Sequence, residues 1–94
     1  MARTQVTSVA RLNFAARQAQ RAMLQEFASK NPGIVAARIA NNPVLLNGYE
    51  DADVILETLM NSGMAKQLNT ILESDQANRY VKRLIAELLM FHGL

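Results

Sequence analysis

The chain contains no cysteine, so neither a disulfide framework nor a thiolate metal site is available, and stability must come from packing alone. Tryptophan is also absent, and the aromatics amount to three Phe and two Tyr. The core is therefore aliphatic, and five methionines make it adaptable. No apolar run approaches a membrane span: the longest, Leu84 to Phe91, is interrupted by Glu87. Nothing near the start reads as a secretory signal, because Arg11 and Arg17 break any apolar stretch there. Alternating strand-like runs, internal repeats and low-complexity tracts are missing too. Each of these absences narrows the fold. None of them names a function.

What is present is 94 residues, half of them hydrophobic and 19% charged, the balance of a globular chain. That length suits one α-helical domain over residues 1–94. The small net charge is unevenly spread. Residues 1–30 carry Arg3, Arg11, Arg17, Arg21 and Lys30 against Glu26 alone. Residues 31–78 reverse this, with Arg38 and Lys66 against Glu50, Asp51, Asp53, Glu57, Glu73 and Asp75. Residues 79–94 return to a basic excess through Arg79, Lys82 and Arg83 against Glu87. Basic ends around an acidic middle suit electrostatic pairing, within the fold or between subunits.

The pattern predicts an all-α fold, a small irregular bundle of about five helices with a long N-terminal helix. At about 100° per residue, Val6, Val9, Leu12, Ala16, Met23, Leu24 and Phe27 share one broad sector of a helix from Thr7 to Ser29. Arg3, Arg11, Arg17 and Arg21 fall opposite. Asn31-Pro32-Gly33 stops that helix and starts another near Gly33 to Ala40; Asn41-Asn42-Pro43 repeats the device before a turn or two at Val44 to Asn47. A third helix begins in Glu50-Asp51-Ala52-Asp53 and runs to about Asn61, apolar nearly all round and so expected at the centre. Gly63 suits the left-handed position after its end. Met64 to Leu72 and Asp75 to His92 complete the set, the last capped by Ser74 and facing the core with Val81, Leu84, Ile85, Leu88 and Phe91. Leu59, Leu68, Leu84 and Leu88 are the expected core.

A search for chemistry ends without a catalytic residue, a cofactor or a metal site. Asp51, Asp53 and Glu57 suggest a calcium loop, but Ile55 and Leu56 stand where one needs a ligand and a glycine. An acidic first turn favouring the helix dipole accounts for them better. His92 is the lone histidine and suits a C-terminal helical turn. Leu56 to Glu73 has a helix–turn–helix outline, with Lys66, Gln67 and Asn69 on its second helix, but the acids before it repel phosphate.

The strongest lead is the basic face of the first helix, where Arg11, Phe14, Arg17, Gln18, Arg21 and Gln25 project from one side. A phenylalanine among arginines fits a protein interface. It also fits a base stacked beside phosphate contacts. Asp51, Asp53 and Glu57 form the complementary acidic patch. The expected function is therefore a non-enzymatic assembly or adaptor protein, binding a protein partner and itself through helices. A small inhibitory effector of viral or mobile-element type belongs to the same class. The alternative is a small nucleic-acid-binding protein using the arginine face. The expected location is intracellular and cytoplasmic. The first 25 residues, Arg-bearing and acid-free, also have the composition of a mitochondrial transit peptide, which makes the matrix the minor alternative.

Overall fold

The computed structural model describes residues 2–94, with side chains described from Asn13 onward. All of its regular structure is helical: α1 Ala2–Lys30, α2 Pro32–Asn41, a 3₁₀ turn Pro43–Leu46, α3 Ala52–Asn61, α4 Ala65–Leu72 and α5 Arg79–Phe91. No strand occurs among the described residues. The boundaries follow local chemistry. Pro32 and Pro43 occupy first helical positions, where a missing N–H costs nothing. Gly63 and Gly93 take φ of 80° and 72° after α3 and α5. That lets the next amide reach back, Met64 N–H to Leu59 O at 3.0 Å and Leu94 N–H to Leu89 O at 2.9 Å.

The caps differ from expectation in two places. Asn31 stands before α2, yet its side chain donates to Phe27 O at 3.0 Å, closing α1 instead of opening α2. Ser74 does not cap the last helix. Its hydroxyl accepts from Gln76 N–H at 3.1 Å in a tight turn, and α5 begins only at Arg79. The cap is Asn78, whose Oδ1 accepts from Val81 N–H at 2.9 Å, an arrangement worth about 1 kcal/mol. The register of this turn is pinned from outside by Asn47. Its amide donates to Gln76 O and its Oδ1 accepts from Asn78 N–H, both at 2.8 Å. The Asn47-Gly48 turn signal therefore does a second task, tying the approach to α3 onto the start of α5.

Helix α3 is the centre, touching α1, α2, α4 and α5. Ala52, Leu56 and Leu59 on α3 meet Leu68 and Ile71 on α4, Val81 and Ile85 on α5, and Leu46 from the 3₁₀ turn, nearly all without solvent contact. Of the expected core residues, Leu59 and Leu68 lie fully inside. Leu84 and Leu88 are only partly buried at its edge; Val81 and Ile85 are the fully buried residues of α5. Phe91, assigned to the core face, is 86% exposed. Starting α5 four residues later shortens the helix, and its last turn runs past the elements it packs on. Among the described residues no buried side-chain polar atom lacks a partner.

The molecule measures 53 × 27 × 25 Å with a radius of gyration of 15.8 Å. A compact chain of this length would have about 12 Å. The excess comes from α1, which at 29 residues is about 43 Å long against about 15 Å for the ten residues of α3. A helix three times longer than its main neighbour cannot be covered along its length.

Candidate functional site

The site is built where the middle of α1 crosses the start of α3. Arg17 and Arg21 are one turn apart on α1 and so project from the same side. Glu50 and Asp51 lie just before α3, with Asp53 in its first turn. Arg17 pairs with Glu50 and approaches Asp51 at 3.8 Å. Arg21 holds Asp51 at 3.0 Å and Asp53 at 2.9 Å, the second through both guanidinium nitrogens. The Asp51 carboxylate is 7% exposed, and such burial is tolerable only because two cations face it. The Arg21 hydrogen bond holds the Asp53 carboxyl below its ordinary range, against the opposing pull of partial burial. Arg21 is raised in turn, chiefly by that bond to Asp53. The acids need not act as side-chain caps, and Asp51 makes no cap hydrogen bond.

The basic and acidic patches expected from the sequence are thus in contact within one chain. Gln18, Gln25 and Glu57 sit beside the ion pairs, lining a polar cleft of about 290 Å³ with Arg21, Thr58 and Asn61. Phe14 is 65% exposed, so most of its surface lies open. Arg11 lies outside the residues whose side chains are described. No group of acids and histidine able to hold a metal ion occurs among the described residues. His92 ends α5, exposed, edge-on to Phe91 at 5.5 Å. Lys66 and Asn69 are exposed on α4 and Gln67 is half-buried. No described helix is long and apolar enough to cross a membrane.

The ion pairs fix how α1 is rolled, and the roll is turned away from the one its amphipathic pattern suggests, with Leu24 alone of the described stripe still partly inward. Arg17 and Arg21 face the body, with Ala28 buried and Leu24 half-buried beside them. Met23 is 71% exposed, Phe27 58%, and Ala16 and Ala19 are exposed in line with them. Val6, Val9 and Leu12, the rest of the expected stripe, lie outside the described side chains. Ala16, Met23 and Phe27, which the sequence pattern had placed inward, are thus exposed, with Ala19 beside them. The charge alternation was the available signal: arginines opposed by a dense acidic cluster compete with the stripe for the inner side.

No family model, curated protein or solved structure matches this chain.

Proposed function

We propose that the protein is a non-enzymatic assembly or adaptor module that works through helix-mediated protein contacts, self-association included, with the outward face of α1 as its contact surface. The observation that carries this is the roll of α1. A helix that turns Arg17 and Arg21 inward and leaves Met23 and Phe27 more than half exposed presents apolar surface that solvent does not favour. Ala16 and Ala19 between them allow a second helix to approach closely. Each aromatic residue of this kind brings about 150–250 Å² to an interface, and methionine adapts to irregular partners.

The same geometry weighs against the nucleic-acid alternative. Phosphate would have to displace carboxylates already bound to Arg17 and Arg21, and would meet Glu50 and Asp53 beside them. The test is light scattering on the full chain at micromolar concentration. A mass above one chain is expected, falling on Met23→Glu/Phe27→Glu. A mass that this double substitution leaves unchanged would sink the α1 reading.

A further inference from the structure

A second surface, apart from the outward face of α1, has its own signature. Where the later part of α5 lies against α3, a groove of about 260 Å³ is floored by Leu84, Leu88 and Phe91 and rimmed by Asp53, Glu57 and Glu87. Glu57 is exposed and makes no ion pair among the described residues. An apolar floor inside a carboxylate rim selects a helix that carries apolar and cationic side chains together. The first turns of α5 have that chemistry. Arg79 and Arg83 are exposed, and Tyr80, 57% exposed, falls in the same helical sector as Leu84 and Phe91 at about 100° per residue. Glu87 answers Arg83 only loosely, at 3.4 Å with both side chains mostly exposed.

One helix therefore bears both halves of a match: a basic, tyrosine-bearing start and an acid-rimmed, apolar end. Within one chain the two halves point along the same axis and cannot meet. We infer that this groove takes α5 of a second copy, the two helices antiparallel about a two-fold axis. Each copy's Arg79, Tyr80 and Arg83 then cover the other's Leu84, Leu88 and Phe91 beneath Asp53, Glu57 and Glu87. Antiparallel apposition is required, because parallel helices would set arginine against arginine and carboxylate against carboxylate. An isologous contact of this kind closes after two copies. Tyr80 and Phe91, more than half exposed, supply two aromatic anchors per copy, so four in all.

This interface does not rest on the α1 reading, and the experiment separates the two. Two variants are made in the full chain carrying Met23→Glu/Phe27→Glu, the substitutions aimed at the α1 contact. One bears Arg79→Glu/Arg83→Glu and so has acid on both halves of the surface; the other bears Glu57→Lys/Glu87→Lys and has base on both. All four positions are exposed, and circular dichroism verifies that the helices persist. Sedimentation equilibrium of the Met23→Glu/Phe27→Glu parent should show dimers. Each charge variant alone should dissociate, with Kd raised about tenfold or more. An equimolar mixture of the two should recover the dimer, since both contacts in the mixed pair are again attractive. A monomeric parent, masses indifferent to all four charges, or a mixture no heavier than its parts would overturn the inference. The groove would then belong to a foreign cationic segment.

Discussion

Helices α1 and α5 are both amphipathic, and they are mounted differently. Helix α5 turns Val81 and Ile85 into the core and leaves Arg79, Arg83 and Glu87 outside, the arrangement its apolar periodicity demands. Helix α1 turns Arg17 and Arg21 toward α3 and leaves Met23 and Phe27 outside. The difference lies in what each helix meets. Opposite α5 stand Leu56, Leu59 and Leu68, so burial of apolar area decides its roll. Opposite α1 stand three carboxylates at the start of α3, one of them nearly buried, and leaving that one without a cation is costly. An apolar stripe sets a helix's orientation only when the neighbour has nothing stronger to ask for.

The largest effect is expected on the α5 side. Ile85→Ala removes a fully buried side chain from the contact between α5 and the central helix, and should cost about 2–5 kcal/mol. Urea unfolding of the two proteins checks this. A midpoint that hardly moves would mean that α5 is not held by its apolar face.

A smaller effect separates the two mechanisms by pH. The Asp53 carboxyl is depressed by Arg21, so an unfolded chain takes up a proton there before the folded one does. Its stabilising contribution is complete above the ordinary carboxylate value of about 4 and is lost as pH falls through the lower folded value. Asp53→Asn should therefore be less stable than the parent at neutral pH, and the gap between their urea midpoints should close below pH of about 4. Arg21 stays charged throughout this range, so the loss belongs to the carboxylate. A gap independent of pH would show that the ion pair does not orient α1 energetically.

Much of this fold was legible in the sequence, because most of it follows from short-range chemistry. Pro32, Pro43 and Gly63 marked helix limits correctly, and the all-round apolar character of α3 announced its central position. The start of α5 was not legible. Ser74 and Asn78 are both good caps, and the choice was made by Asn47, far away in sequence, which fixes the turn over residues 76–78. The inner residues of α5 were legible as a stripe, but its limit was not, since whether Phe91 is covered depends on where the packing elements stop. For the candidate site, Arg17 and Arg21 and their acidic complement could be named from residue type and position. That they satisfy one another inside a single chain required the crossing of α1 over α3, a long-range contact that no local pattern encodes.

On α1 a single apolar substitution should hardly affect the isolated chain. Met23, like Ile85, is an apolar residue on a regular helix, yet it is 71% exposed and is not among the residues packed on the core. Met23→Glu should therefore change the stability of the dilute, dissociated chain by no more than about 0.5 kcal/mol, the ordinary range for a surface substitution. Its effect should appear only through association. If a partner copy covers this face, binding stabilises the folded state by mass action, and the parent's Tm rises with protein concentration. The substitution should reduce that rise to what the α5 contact alone supplies, while leaving the low-concentration limit in place. Thermal scans over a hundredfold concentration range read both quantities from one data set. A low-concentration Tm that dropped with Met23→Glu would instead show that this side chain helps to hold the single chain together. Helix α1 would then be mounted like α5 after all.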